Sequence, residues 1–193
     1  DVTDADEMAQ RLSEFTEAAG GRLNVMINNA GILRAGRFED IDLSTQLKQI
    51  DINAKGVVTG LHAAFPYLRA TPNPVVVNLA SASAIYGQAE LATEALDIEW
   101  NQYGIRVIAM WPLYVKTAMT EDVKTGTTES LGIRLTAQDV ADAILAAVEP
   151  SLPRRAIRQV HFPVGLQTKA SALTGRLPLW TQRLVNKRIV SAI

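Results

Sequence analysis

The sequence predicts one α/β domain built on a doubly wound parallel sheet, and two observations indicate it. First, four short Val/Ile-rich runs lack polar alternation and are typical of buried strands; they lie at 23–27, 75–79, 105–110 and 159–163. Second, segments of helical periodicity separate these runs. Strands that alternate with helices form crossover units, so we expect a three-layer αβα arrangement with helices on both faces.

The helices are predicted from their caps, their apolar faces and their breakers. Asp4 is a candidate N-cap with Glu7 three residues on, and Gly20–Gly21 ends that first helix. The apolar residues that share one face of it are Met8, Leu12 and Phe15. Three further helices are predicted at 42–68, 93–103 and 137–148, the last of them ended by Pro150.

Composition excludes several classes of protein. The 193 residues are 48% hydrophobic and 20% charged, which fits one globular domain. The net charge of -1 provides no global field for nucleic acid. The absence of cysteine excludes disulfides and thiol nucleophiles, and it suits a cytoplasmic location. No apolar run approaches the roughly 18 residues of a membrane span, and the missing initial Met indicates a chain that begins within a longer protein.

Charge is distributed unevenly along the chain. Residues 1–149 carry all 20 acids and 11 bases, whereas residues 150–193 carry 8 bases and no acid. Leu184, Val185, Ile189 and Ile193 fall near one side of a possible terminal helix with bases opposite, a pattern that would suit contact with an anionic membrane surface. The interpretation we favour is a helix packed over the mouth of a site or against another subunit.

Ligands of parallel sheets bind beyond the carboxyl ends of the strands, so the residues that follow each strand matter most. Asn28–Gly31 tolerates the unusual backbone angles of a sharp turn. Ser81 offers a hydroxyl to a carbonyl or an alkoxide. The third strand is followed by 112–117, which begins at Pro112.

Five elements in order resemble the short-chain dehydrogenase/reductase family of nicotinamide-dependent oxidoreductases. They are Asp1-Val2, Asn28–Gly31, Asn53 in 51–56, Ser81 in 78–81, and Pro112–Thr117. The resemblance covers about 1–165 and implies a partial Rossmann-type NAD(P)-binding domain, with 166–193 as a basic helical tail packed on it. It also implies NAD or NADP as cofactor, a small alcohol or carbonyl compound (most simply an apolar secondary alcohol) as substrate, and a homodimer or homotetramer without a nucleic-acid partner.

The same resemblance implies roles for individual residues. Asp1 would accept from the exocyclic amine of adenine beside the Val2 backbone N–H, although a helix-capping role for Asp1 stays open. The residues implied to pack under the adenine ribose are Asn28, Ala30 and Gly31. Those implied at the nicotinamide end are Pro112, Val115 and Thr117. The catalytic candidates are Ser81, which would hold the reacting oxygen, and Asn53, which would hold a water of a proton relay.

The proton donor of the family is not found in this sequence. The family uses a Tyr followed four positions later by a Lys, and none of the four tyrosines here has a Lys at that position. Ser81 and Pro112 are 31 positions apart, about a dozen fewer than we expect. We therefore predict one missing segment between Ala92 and Thr93. A Gly-rich phosphate-binding turn and two strands are likewise expected before Asp1.

Three alternatives follow from that absence. A relative truly without the Tyr/Lys segment would be a non-catalytic scaffold or sensor. Tyr86 is a conceivable replacement acid, but no Lys accompanies it. A hydrolase built on Ser81 and His62 is disfavoured because the sequence has no Gly-x-Ser-x-Gly elbow. His62 and His161 are too isolated for a metal site, so none is predicted.

Overall fold

The computed structural model describes residues 1–36, 38–81, 89–121, 123, 125–150, 157–174 and 181. Its six strands are β1 (Val25–Asn28), β2 (Val75–Leu79), β3 (Arg106–Pro112), β4 (Val115–Lys116), β5 (Leu135–Thr136) and β6 (His161–Val164). All pairs are parallel: four strands form one sheet in the order β1-β2-β3-β6, and β4 pairs with β5. The predicted parallel α/β fold is thereby confirmed.

Seven α-helices surround these strands among the described residues. They are α1 (Ala5–Ala18), α2 (Leu43–Ile50), α3 (Gly56–Ala70), α4 (Ala89–Trp100), α5 (Gly126–Leu131), α6 (Ala137–Val148) and α7 (Gly165–Thr174). The Asp4 carboxylate accepts from the backbone N–H groups of Asp6 and Glu7, which confirms the predicted cap of α1. Thr136 caps α6, where the predicted limits of the helix are also confirmed.

The limits of several predicted strands and helices differ in the structure. β1 and β6 begin two residues later than predicted, and β3 continues through Pro112 because Trp111 and Pro112 still pair with β6. The second helix is divided, since a π-helix at Asp51–Lys55 joins α2 to α3. Helix α4 begins at Ala89 and passes through positions 92 and 93 without interruption. The mini-sheet of β4 and β5 and the short helix α5 were not predicted.

The sheet separates two apolar layers. One layer gathers Leu12, Leu61 and Leu68 against Val76 and Val107 on the side of α1, α3 and α4. The other packs Ile108, Met110 and Phe162 with α6. Alternate residues of one strand thus enter opposite layers, as the pleat requires.

The predicted face of α1 is correct only in part. Leu12 is buried and Met8 packs against the core, but Phe15 is 58% exposed while the adjacent Thr16 is 2% exposed. Thr16 tolerates burial because its hydroxyl donates to the Leu12 carbonyl at 2.8 Å.

Some predicted features lie outside the described residues, namely Tyr86 and the terminal positions Leu184, Val185, Ile189 and Ile193. Helix α7 begins at Gly165, next to the predicted domain boundary, and packs against β6 and β3. Among the helices described, none is long and apolar enough to cross a membrane.

Candidate functional site

The carboxyl ends of β1 and β2 are joined by a hydrogen-bonded chain of side chains. Asn28 and Asn78 occupy the same register level, and Asn28 Nδ2 donates to Asn78 Oδ1 at 2.8 Å. Asn78 Nδ2 in turn donates to Thr93 Oγ1 of α4 at 3.3 Å. Asn78 is 9% and Thr93 3% exposed, so this chain lies beneath the surface of the site. It fixes both strand ends relative to α4.

A small cavity opens beside the end of β1. Its volume is about 90 Å³, and it is lined by Val2, Met8, Met26, Ile27, Asn28, Asn29, Ala30, Ile52, Gly56 and Val57. Val2, Asn28 and Ala30 are three of the residues implied to lie at the adenine end of a dinucleotide. Two parts of the chain that are far apart in sequence are therefore brought to one cavity, whose lining is mostly apolar, as a flat heteroaromatic ring requires.

Asp1 stands beside this cavity and does not cap α1. Its Oδ1 accepts from the backbone N–H and the hydroxyl of Thr3, both at 2.9 Å, whereas Asp4 provides the cap. The alternative of Asp1 as the helix cap is therefore wrong. The carboxylate of Asp1 is exposed.

Asn53 binds the loop that follows β1. Its Oδ1 accepts from the Ile32 N–H at 2.9 Å, and its Nδ2 donates to the Ile32 carbonyl at 2.8 Å. A Cβ added at Gly31 would lie 3.3 Å from the same Oδ1, so the loop passes close to the amide. The π-helix at 51–55 presents Asn53 to this loop, and both side-chain groups of the amide are engaged there.

Ser81 follows β2 at the same edge of the sheet and is exposed. The ladder between β2 and β3 continues one residue beyond β2, where Ala80 N–H donates to the Met110 carbonyl at 3.0 Å. This bond extends the pairing with β3 to the residue before Ser81. Residues 82–88, including the candidate Tyr86, lie outside the described part of the chain.

The predicted nicotinamide-side residues lie around β4. Pro112 ends β3 opposite Val164, and Val115 pairs with Leu135 in the mini-sheet. Thr120 Oγ1 donates to the Val115 carbonyl at 2.5 Å and accepts from the Thr117 N–H at 3.2 Å, so one hydroxyl holds this turn.

A second concavity of about 410 Å³ adjoins that turn. It is lined by Lys116, Thr117, Thr120, Glu121 and Ile133. The exposed side chains of Thr117 and Lys116 stand at its surface. The structure thus separates the predicted set into an adenine-side group at β1 and a nicotinamide-side group at β4. Across the ranges described, no three His, Asp or Glu residues group as metal ligands.

Sequence reasoning missed the residues that support the site. Thr93 was not singled out as a partner of Asn78, and Gly56 and Gly60 were not recognised as the points where α3 approaches Val2 and Asn28. The sequence feature that could have indicated Gly56 and Gly60 is their separation by four positions, which places both on the same face of a helix. No feature of the sequence pointed to Thr93, because residue type alone does not distinguish a buried threonine from an exposed one.

Comparison with known proteins identifies the family. A model of the short chain dehydrogenase family matches residues 1–128, and the chain belongs to that family. An oxidoreductase of uncharacterized function from Staphylococcus epidermidis is 31% identical over 144 residues, covering 68% of this chain and 61% of its own. Trans-4-hydroxycyclohexanecarboxylate dehydrogenase of Sinomonas cyclohexanicum is 31% identical over 160 residues, covering 75% and 60%. The chain spans about three fifths of the length of these curated relatives.

Solved structures share the fold. A short chain dehydrogenase from Burkholderia cenocepacia, in complex with NADP, superposes with a TM-score of 0.76 at 21% identity, covering 97% of this chain and 76% of its own. A 3-ketoacyl-(acyl-carrier-protein) reductase from Brucella melitensis, complexed with NADH, gives 0.72 at 20% identity, covering 85% and 74%. The predicted family and the Rossmann-type fold are both confirmed.

The alignments also measure how much shorter this chain is. The 144 aligned positions of the Staphylococcus relative contain 68% of the 193 residues here, about 131, so about 13 positions have no counterpart in this chain. The 160 positions of the Sinomonas relative contain 75%, about 145, which leaves about 15 without a counterpart. These differences agree in size with the missing segment predicted from the distance between Ser81 and Pro112.

Proposed function

We propose that the protein containing this chain is an NAD(P)-dependent oxidoreductase that interconverts an apolar secondary alcohol and the corresponding ketone. The observation that carries the proposal is the cavity at the carboxyl end of β1, where Val2, Asn28 and Ala30 meet. The Sinomonas relative supports a secondary alcohol as the substrate, because the compound in its name carries a hydroxyl group on a ring carbon.

The residues present fit a bound dinucleotide at two places. The apolar cavity beside Val2 suits the adenine ring, with the Asp1 carboxylate as acceptor for the adenine amine. The turn at Val115–Thr117 would hold the carboxamide at the other end, and its backbone is fixed by Thr120. Relatives of the same fold that were solved with NADP and NADH support this assignment.

This chain orients the reacting groups. When bound, the nicotinamide ring supplies or accepts the hydride at the substrate carbon. The exposed Ser81 hydroxyl donates to the substrate oxygen and thereby orients the carbonyl. Asn53 holds the loop at Ile32, so we assign it a positioning role: it keeps the loop after β1 in place beside the dinucleotide.

The alkoxide formed by hydride transfer needs an acid. A tyrosine with a pKa near 10 performs this step efficiently only when a nearby cation lowers its pKa. No tyrosine of this sequence has the lysine that would do so. We propose that a segment of about a dozen residues at the Ala92–Thr93 position supplies both the tyrosine and the lysine in the intact enzyme. The aligned positions of the two relatives that have no counterpart in this chain support this.

Two measurements test the proposal. The first is the intact mass of the protein isolated from its natural source, which we expect to exceed the 21.0 kDa of this chain. The second follows reduced nicotinamide absorbance while that protein is given trans-4-hydroxycyclohexanecarboxylate or cyclohexanol with NAD or NADP. A natural mass of 21.0 kDa without turnover would contradict the enzymatic proposal and leave the non-catalytic scaffold or sensor in its place.

We also propose that the protein is a homo-oligomer. Along α2 and α3 an apolar stripe stands exposed, formed by Leu43, Leu47, Ile50 and Val58 with exposures of 51–69%. An apolar surface of this kind is typical of a subunit interface. Sedimentation of the wild type should give a dimer or tetramer, and Leu47→Glu with Ile50→Glu should give the monomer. A monomeric wild type would contradict this proposal.

A further inference from the structure

Helix α3 reaches both walls of the adenine-side cavity through glycines one turn apart. Gly56 is itself part of the cavity lining, next to Val2, and Gly60 faces Asn28. Both are buried. The backbone at Gly56 is ordinary helix, with φ -57° and ψ -38°, a conformation that any residue adopts. Conformational freedom therefore does not explain the glycine, and a helix interior disfavours it.

The lack of space for a side chain at position 56 explains why a glycine stands there. A Cβ added there would lie 2.8 Å from Val2 Cγ2 and 3.3 Å from Val2 Cβ, and the Val2 carbonyl oxygen would be 3.6 Å away. The first distance is shorter than carbon atoms tolerate, so Val2 would have to move. Val2 is the residue whose backbone N–H is proposed to meet the adenine ring. A methyl group at position 56 would therefore displace that N–H or occupy part of the cavity.

Gly60 has the same relation to Asn28. A Cβ at this position would lie 2.7 Å from Asn28 Oδ1 and 3.1 Å from Met26 Cε. The Met26 side chain ends in a flexible methyl group, but the Asn28 amide is held at 2.8 Å by Asn78. An alanine at position 60 would thus rotate the Asn28 amide away from Asn78.

We propose that Gly56 determines whether the cavity accepts an adenine ring, and that Gly60 is a positioning residue that keeps the Asn28 amide aligned. The inference rests on the proposed function and adds to it the residue that sets the size of the adenine subsite. The ligand class is an adenine nucleotide, because the cavity lies at the adenine end of the residues implied to bind the dinucleotide.

The test is calorimetric titration of the intact protein, which contains this chain, with 5′-AMP, NAD and NADP. We expect Gly56→Ala to weaken 5′-AMP binding by about tenfold or more, the scale of overpacking by one methyl group. Adding Val2→Ala to that variant removes the clash and should recover most of the affinity. His62→Ala, at an exposed position of the same helix, is the matched control and should bind as the wild type does.

Second variants keep the test independent of folding. Val2→Leu crowds the same space without altering α3, so it should also weaken 5′-AMP binding. Gly60→Ala should weaken binding and shift the side-chain amide resonances of Asn28 and Asn78 in NMR spectra. If the wild type binds none of the three nucleotides, the proposed function fails and this inference with it. If the wild type binds but Gly56→Ala binds equally well, or Val2→Ala does not rescue it, only the inference on Gly56 is overturned.

Discussion

Asn28 and Asn78 face each other across neighbouring parallel strands at the same register level, and the amide of one donates to the carbonyl of the other at 2.8 Å. The second amide continues this bond to Thr93, the first residue after the position where the sequence indicates a missing segment. The adenine-side strand end is therefore connected, through two side chains, to the helix that would carry the proton donor. A displacement of α4 would be transmitted to Asn28.

Replacing Asn78 should destabilise the fold. Asn78→Ala removes the acceptor of the half-buried Asn28 amide and the hydrogen bond from Asn78 to the buried Thr93 hydroxyl. Unsatisfied buried polar groups cost about 1–3 kcal/mol, so urea denaturation should show a loss of that size. Asn24→Ala removes the same amide from an exposed position and should change the free energy of unfolding by less than about 0.5 kcal/mol. Equal effects would show that the bond contributes nothing.

Removing Arg158 should also be costly. Arg158 Nε donates to Asp97 Oδ2 at 2.9 Å, and Asp97 Oδ1 accepts from the buried Val107 N–H at 3.0 Å. Asp97 has 7% of its side chain exposed, so Arg158→Ala leaves a carboxylate buried without its cation. We expect a loss of about 3 kcal/mol, the low end for a broken buried pair, because Arg158 is itself 39% exposed. Arg158→Lys should recover part of the loss; a thermal midpoint equal to that of the wild type in Arg158→Ala would contradict this.

Much of the fold follows from local patterns. The limits of β2 and α6 agree with the sequence because apolar runs, a Thr-x-x-Asp capping box and Pro150 all determine local structure. The division of the second helix was not predicted: the π-helix at 51–55 carries Asn53, which hydrogen-bonds to a loop about twenty residues earlier, and helical periodicity does not encode such a contact. Phe15 was assigned to the core because the helical spacing of apolar residues does not show that the neighbouring Thr16 is the buried one.

The candidate site was likewise predictable in part. Residue types at strand ends indicated Asn28, Ser81 and Thr117; the topology brings Asn28 and Ser81 to one edge of the main sheet, whereas Thr117 follows the mini-sheet strand β4. What periodicity and motifs do not encode is distance between side chains. The contact of Gly56 with Val2 joins residues 54 positions apart and depends on the packing of α3 beside α1, which Val2 precedes.

The capping box of α6 should titrate. The Thr136 hydroxyl, and then its backbone N–H, hydrogen-bond to Asp139 and lower the pKa of that carboxyl below 3.8. Because the folded pKa is the lower one, the stabilisation is complete above pH 3.8 and is lost as the pH falls through the folded value. NMR titration of Thr136→Val should move the Asp139 midpoint up toward 3.8, without reaching it, since the backbone N–H remains.

Thr125 provides the control for that titration. It caps α5 in a box with Thr128 and no carboxylate, so the cost of Thr125→Val should not vary with pH in the acid range. The cost of Thr136→Val should decrease as the pH falls below 3.8. The same Asp139 midpoint in wild type and Thr136→Val would contradict the assignment of the hydroxyl as the main cause.

Asn53 allows its structural and catalytic roles to be separated. Asn53→Ala removes both bonds to Ile32, so the loop after β1 should become more sensitive to proteolysis. Nucleotide affinity should fall by up to about thirtyfold, since the two bonds together contribute about 2 kcal/mol. Asn53→Asp keeps the acceptor for the Ile32 N–H but sets a carboxylate oxygen against the Ile32 carbonyl. It should therefore release the loop nearly as much as alanine does at neutral pH.

Kinetic measurements on the intact enzyme complete this comparison. If Asn53 acts by holding the loop, both variants raise the KM for the dinucleotide more than they lower kcat. If its side chain instead holds a relay water, kcat falls while dinucleotide affinity and proteolysis of the loop stay as in the wild type. Lys48→Ala, at an exposed position on the preceding helix, should leave all three quantities unchanged. We expect the first result, because both polar groups of the Asn53 side chain are already engaged by the Ile32 backbone.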